Sequence, residues 1–150
     1  MSDNTRWGAD LRLLDNLLRQ NDLDVGEDLF VTERLETGRI DLATVVADDN
    51  LKQALLLRFL TRRGELESLG HPAYGSRLFD LLGERNTLAN RNRAKLYVLE
   101  ALAMEPRVAE VLRVTVETNR AEPTQIDISV SLRPIYADTV LNLVFPFFLE

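Results

Sequence analysis

Cysteine is absent from the 150 residues of this chain, and histidine occurs once, as His71. Disulfide bonds, thiolate metal sites and a cysteine nucleophile are therefore excluded, and a catalytic triad or an imidazole metal site would depend on that one histidine. Because Pro72 follows it in a glycine-rich stretch, a packing role in a loop is favoured for His71. We expect no metal ion and no other cofactor.

Long apolar runs are absent too. No stretch of eighteen apolar residues occurs, and residues 1–8 lack the basic and then apolar order of a secretion signal. These absences predict a protein that is assembled in the cytoplasm and does not contact a membrane. The single tryptophan, Trp7, lies in the N-terminal tail, so the exposed tryptophans typical of a saccharide cleft are missing.

The net charge of −6 argues against general nucleic-acid binding. The charge is uneven, because residues 51–113 are basic on balance while both flanking segments are acidic. This division suits a protein that docks between others in a fixed orientation, although a solvated helical face is the commoner cause. The length and the hydrophobic content of 45% fit one domain with a real core.

Leucines at helical spacing predict an amphipathic helix over Ala9–Gln20, and residues 21–26 have the composition of a linker. We therefore expect an N-terminal extension at residues 1–26 and the main domain at residues 27–150. Short apolar stretches at Leu29–Val31 and Ile40–Val46 are expected to be extended or irregular.

Further helices are predicted over Leu51–Thr61, with Asn50 and Gln53 as a capping box, over Arg77–Leu82, and over Leu88–Met104. The stretch from Gly64 to Ser76 is predicted to be a structured loop, since its apolar residues would be wasted on a mobile one.

Strict alternation places Leu112, Val114 and Val116 on one face, and a second alternation runs from Ile126 to Arg133. The sequence therefore predicts a hairpin with one solvent-exposed face. The apolar tail from Val140 to Leu149 predicts a third strand at the sheet edge, because Pro146 cannot donate a ladder hydrogen bond. The fold class is therefore α+β, a small helical half packed on a three-stranded, mainly antiparallel C-terminal sheet. An apolar edge strand needs a covering partner.

The corner between the long helix and the first strand reads Glu105-Pro106-Arg107. A carboxylate in the last helical turn faces the negative end of the macrodipole, so Glu105 requires a nearby cation, which Arg107 can supply. Two interpretations remain open: an intramolecular ion pair that stabilises the end of the helix, and an ion pair that is presented to a partner chain.

One enzymatic reading is also open, because glycoside hydrolysis needs only two suitably spaced carboxylates. Candidates are Glu65, Glu67, Glu84 and Glu105, with Glu65 or Glu105 as the acid. Any chain with 24 acidic residues can supply such a pair, so the signal is weak. No phosphate loop, nucleophile elbow or metal-binding motif is present.

Three separated segments, Arg63–Leu66, His71–Leu78 and Glu100–Val108, resemble in order and spacing the baseplate-wedge and sheath-initiator family of contractile injection machines. That family occurs in contractile phage tails, type VI secretion systems and extracellular contractile particles, and has been labelled a tail lysozyme. The resemblance spans about residues 28–150.

The resemblance implies a structural, non-enzymatic component of a phage tail-like particle of a kind that can be released after assembly. Its implied partners are sheath subunits, other wedge proteins and tube or hub proteins, in a six-fold ring, with no nucleic acid and no membrane. A stand-alone adaptor without sheath contact is a third possibility. The implied partner-binding residues are Glu105, Pro106 and Arg107 at the corner, Gly64, Glu65, Tyr74, Gly75 and Ser76 in the loop, and Val140, Leu141, Leu143, Val144 and Phe145 in the tail.

Overall fold

The computed structural model describes residues 8–14, 17 and 29–149. Two small antiparallel sheets come first: β1 (Ala9–Leu11) pairs with β4 (Thr44–Val46), and β2 (Val31–Arg34) pairs with β3 (Arg39–Leu42). The segments expected to be extended or irregular are thus largely extended. The predicted linker at residues 21–26 lies outside the described residues.

Two helices and a three-stranded sheet form the main body. Helix α1 spans Ala47–Leu60 and α2 spans Leu88–Ala103, followed by β5 (Val108–Thr118), β6 (Gln125–Pro134) and β7 (Leu141–Phe148). The three strands are antiparallel in the order β5-β6-β7. The predicted α+β class is confirmed.

The core lies between one face of this sheet and the two helices. Alternate residues of β6, from Ile126 to Leu132, are buried because successive side chains of a strand point to opposite faces. On β7 the same face buries Leu141, Leu143, Phe145 and Phe147. The helices cover this face, and the opposite face of the sheet stays partly exposed to solvent.

Helix α2 matches its predicted span closely. The hydroxyl of Thr87 accepts a hydrogen bond from the backbone N–H of Asn90 at 3.2 Å and so caps the first turn. The C-terminal half buries Val98, Ala101 and Leu102. The predicted short helix at Arg77–Leu82 is a 3₁₀ turn over Leu78–Leu81.

The predicted helix over Ala9–Gln20 is wrong for the residues that the structure describes, since Ala9–Leu11 form a strand. The predicted capping box is also wrong, because α1 begins at Ala47, four residues before the predicted start at Leu51, and both Asn50 and Gln53 lie inside it. The Gln53 side chain accepts from the backbone N–H of Leu13 at 2.8 Å and donates to the carbonyl of Leu11 at 2.7 Å. A buried amide thus satisfies the N-terminal backbone, which local leucine spacing cannot reveal.

Strand β5 departs from the predicted alternation. Register shifts between Val108 and Glu110 and between Val111 and Arg113 each add one residue on this strand. The second bulge turns Leu112 outward, to 41% exposure, while Val114 beyond it is buried. The predicted inward position of Leu112 is therefore wrong.

Strand β7 occupies an edge of the sheet, as its proline predicts. The N–H of Leu149 donates to the carbonyl of Thr124 at 2.8 Å. Since hydrogen-bonded and non-hydrogen-bonded pairs alternate along antiparallel strands, this bond shows which residues of β7 bond to β6. Odd-numbered residues of β7 therefore bond to β6, and the backbone groups of Asn142, Val144, Pro146 and Phe148 point away from it. Within the described part of the chain, no further strand pairs with these groups.

Candidate functional site

The corner after α2 is built around a buried carboxylate. Glu105 is only 5% exposed, and its Oε1 lies 2.7 Å from Nε of Arg107. Its other oxygen, Oε2, lies 3.3 Å from a terminal nitrogen of Arg58 on α1. The intramolecular ion pair, one of the two interpretations of this corner, is therefore present, and a second arginine joins it.

Two opposing effects set the protonation of Glu105. Burial raises the pKa of the carboxyl, but the hydrogen bonds and charge of Arg107, together with the charge of Arg58, outweigh burial and lower its pKa below the ordinary value. The group is therefore ionised at neutral pH. A buried carboxylate held by two guanidinium groups fixes α1, α2 and β5 relative to one another.

Arg58 extends this network to the loop that follows α1. Its guanidinium lies over the ring of Tyr74, 4.7 Å from the centroid. Burial raises the pKa of the Tyr74 hydroxyl, with Arg58 acting in the opposite direction. Sequence reasoning missed Arg58, although a single arginine in the apolar run from Leu55 to Leu60 was the available signal.

Parts of the corner remain available to another chain. Pro106 is exposed, and the side chain of Arg107 is 23% exposed. Arg107 uses its Nε for Glu105, while its two terminal nitrogens donate to no described residue. A partner carboxylate or carbonyl can therefore bind there without disturbing the internal pair.

The loop over residues 62–76 is fastened at both ends to the end of α1. Arg63 N–H donates to the Ser76 carbonyl and Ser76 N–H donates to the Thr61 carbonyl, both at 2.9 Å. Gly75 makes this possible, because a Cβ there would lie 2.6 Å from the Thr61 carbonyl oxygen and its φ is +101°. The predicted structured loop is confirmed in this sense, although Leu69 is 71% exposed.

The other loop residues singled out from the sequence hold the loop together. The Ser76 hydroxyl donates to the Phe59 carbonyl at 2.8 Å, and the Glu65 carboxylate accepts from the Arg62 N–H at 3.1 Å. Gly64 has a φ of +87°, and its N–H donates to the Tyr74 carbonyl at 3.4 Å. These contacts are all internal to the chain.

The five tail residues predicted to bind a partner differ in the exposure of their side chains. Leu141, Leu143 and Phe145 are at most 3% exposed and belong to the core. Val140 is 48% exposed, and Val144 is half-buried on the outer face. Only these two of the five present side-chain surface to a neighbour.

The carboxylates considered for hydrolysis are committed to other contacts or lie exposed. Glu105 is ionised between two arginines, whereas a general acid needs a raised pKa. Glu65 accepts from a backbone N–H. No group of three or more potential metal ligands occurs among residues 8–14, 17 and 29–149.

Residues 39–135, nearly two thirds of the chain, match the family described as baseplate wedge protein gp25. The chain belongs to this baseplate wedge family. The matched range includes the corner at Glu105 and the fastened loop, and it ends before β7 begins at Leu141. Membership gives the chain a structural role in a phage tail-like baseplate, in assembly with other baseplate proteins.

A solved structure is similar to this wedge protein. It is a crystal structure from Geobacter sulfurreducens, provisionally described as a tail lysozyme, with 28% sequence identity and a TM-score of 0.57. The alignment covers 65% of this chain and 86% of that one. No curated protein matches the chain. None of the helices in the described residues has the length and apolar character needed to cross a membrane.

Proposed function

We propose that this wedge protein starts the sheath, by accepting an extended arm of a sheath subunit along the free edge of β7. The observation that carries the proposal is the outward-pointing backbone of that edge. Asn142, Val144 and Phe148 direct their N–H groups away from β6, and their carbonyls, with that of Pro146, point the same way. Strand addition satisfies such groups with main-chain hydrogen bonds.

The side chains beside this edge favour the same use. Val144, Pro146 and Phe148 are half-buried on the outer face, next to the polar β6 residues Ser129 and Asp127. An incoming strand with apolar residues at alternate positions would extend this apolar margin, and the period of two would set its register.

The other edge of the sheet is less suitable. Strand β5 also has outward backbone groups, at Val114, Val116 and Thr118, because Asn119 N–H donates to the Gln125 carbonyl and fixes its phase. Its two bulges, however, leave only the run from Arg113 to Thr118 in regular register. Bulges are a common device for blocking edge pairing, whereas β7 pairs without a shift over eight residues.

A matched pair of proline substitutions tests the proposal. Val144→Pro removes an outward N–H from β7, and Val116→Pro removes one from β5, while neither N–H belongs to the protein's own ladder. Particles carrying Val144→Pro are expected to have baseplate and tube without sheath by negative-stain electron microscopy, and those carrying Val116→Pro to have normal sheath.

Thermal unfolding of each purified variant would first establish that it folds. Normal sheath on the Val144→Pro particles, or equal loss of sheath in both variants, would refute pairing at β7.

We further propose that the corner seats the protein in the baseplate through Pro106 and the two terminal nitrogens of Arg107. Reversal of Arg107 to glutamate is uninformative, because it would place a second carboxylate beside buried Glu105. Arg107→Lys keeps a cation for Glu105 and removes the planar fork. We expect it to fold and to reduce incorporation into baseplates, with Arg113→Lys as the control. Equal incorporation of the two variants would mean that the corner forms only an intramolecular ion pair and does not bind a partner.

The chain is also proposed to act without catalysis. The lowered pKa of Glu105 supports this, since a glycosidase acid requires the opposite shift. Purified protein is expected not to clear a peptidoglycan suspension. Clearance that disappears in Glu65→Gln or Glu105→Gln would favour the hydrolase instead.

A further inference from the structure

An open groove lies beside the fastened loop, lined by Arg62, Arg63 and Arg77 with Ser76 and Asp80. We call it the arginine groove. Its volume is about 420 Å³. It shares Arg63, Ser76 and Arg77 with a smaller pocket whose apolar lining is Ala73, Ala101 and Met104. The arginine groove and this smaller, partly apolar pocket therefore adjoin.

The backbone that carries the arginines is held in place. Arg62 and Ser76 form a parallel bridge, and the two hydrogen bonds of 2.9 Å described above flank it. Gly75 packs so close to the carbonyl of Arg62 that a Cβ at this position would lie 2.8 Å from its oxygen. The backbone of these arginines is therefore already ordered before a ligand binds, which lowers the entropic cost of binding.

The three guanidinium groups differ in their present contacts. Arg77 lies over the ring of Tyr97, 4.4 Å from the centroid, and its Nε is 3.2 Å from Asp80. The side chains of Arg62 and Arg63, in contrast, make no hydrogen bond or ion pair within the described part of the chain. Arg77 is thus held in one orientation, whereas the guanidinium groups of Arg62 and Arg63 have no partner among the described residues.

The surroundings select among anions. Asp80 and Glu100 both lie near Arg77, at 3.2 and 3.9 Å, so these fixed carboxylates repel any anion placed at Arg77 and leave Arg62 and Arg63 as the groups for a ligand's negative charges. Met104, which is 51% exposed, lies in the adjoining apolar pocket, where a phosphate group gains nothing. A peptide can place carboxylates and an apolar side chain together.

We propose that the arginine groove binds an acidic peptide segment of a partner chain. Carboxylates of that segment bind Arg62 and Arg63, and a neighbouring apolar side chain packs on Met104. The groove uses no residue of β7, and its test needs no assembled particle, so its failure leaves the sheath proposal unaffected.

Fluorescence anisotropy with the full-length chain tests the groove. The probe is the labelled peptide Asp-Glu-Asp-Glu-Leu-Ala, compared with Asn-Gln-Asn-Gln-Leu-Ala, with Asp-Glu-Asp-Glu-Ser-Ala and with a ten-nucleotide single-stranded DNA. We expect the acidic leucine peptide to bind most tightly and the neutral peptide to bind about tenfold more weakly or worse. Added salt should weaken the acidic complex.

Variants with equal changes in charge locate the site. The double substitution Arg62→Glu and Arg63→Glu is expected to abolish binding of the acidic peptide. The control replaces Arg113 and Arg120, both exposed and remote from the groove in sequence, by glutamate and should bind as the wild type does. Replacement of Arg62 and Arg63 by glutamine provides a milder version in case charge reversal prevents folding.

The proposal would be overturned by no binding of the acidic peptide, by binding that survives both groove variants, or by DNA that binds as tightly as the peptide. Equal loss in the control pair would attribute the effect to net charge and would also overturn it.

Discussion

The rings of Phe59 and Phe145 stack with their centroids 4.9 Å apart and an angle of 12° between their planes. This contact joins α1 to the edge strand β7, and both side chains are fully buried. The strand proposed to receive a guest is thus part of the core on one face and open along its outer edge. Deleting the tail would remove the core along with the edge, so point substitutions are the sharper tests.

Phe145→Ala is expected to destabilise the protein by about 3–5 kcal/mol, because it removes a fully buried aromatic ring and leaves a cavity against Phe59. Phe148→Ala, on the half-buried outer face, is expected to cost about 1 kcal/mol. Urea denaturation followed by circular dichroism measures both. Equal losses of stability would contradict the assignment of opposite faces.

Glu105→Gln is expected to lower the free energy of unfolding by roughly 3 kcal/mol at pH 7, because it leaves Arg58 and Arg107 without a buried counter-charge. The folded-state pKa of Glu105 is lowered, so its contribution is present above the unfolded value of about 4.3 and is lost as the pH falls through the folded value.

The difference between wild type and Glu105→Gln should therefore narrow in urea titrations below about pH 4.3. Exposed Glu117 provides the control, and Glu117→Gln should show little effect at either pH. A gap for Glu105→Gln that stays constant down to pH 3 would contradict ionisation of Glu105 in the folded state.

Gly75→Ala is expected to destabilise the protein by more than about 2 kcal/mol, since the new methyl group meets the Thr61 carbonyl oxygen at 2.6 Å in a backbone conformation unfavourable for alanine. Gly70→Ala introduces only the unfavourable backbone conformation and no steric clash, because nothing lies within 4 Å of its Cβ position. Its expected cost is about 1 kcal/mol. Thermal melting of the two variants compares them, and equal melting temperatures would argue against the close approach.

Pro146→Thr is expected to increase self-association, because it adds an outward N–H to the open edge of β7 and leaves the β6 ladder unchanged. Pro123→Thr, in the turn before β6, removes a proline away from that edge. Sedimentation velocity over a concentration series measures both variants. Indistinguishable sedimentation coefficients at every concentration would show that Pro146 does not guard the edge.

The sequence predicts those parts of the fold in which the spacing of apolar residues and the local backbone preferences favour the same secondary structure. The long helix to Ala103, the alternation in β6 and the edge position of the Pro146 strand all follow from spacing and backbone chemistry. The leucines after Ala9 mislead for the opposite reason: helical spacing is present, but pairing with β4 and the Gln53 side chain hold Ala9–Leu11 extended.

The sequence by itself determined an α+β chain without thiol chemistry, with an apolar edge strand and with an acid and a base at one corner, since these depend on residue type and short-range order. Only the tertiary structure decided that Arg58 joins Glu105 from 47 residues away, that bulges turn Leu112 outward, and that the side chains of Arg62 and Arg63 line a groove without a partner among the described residues. Such relations depend on which distant segments pack together, and no local pattern encodes them.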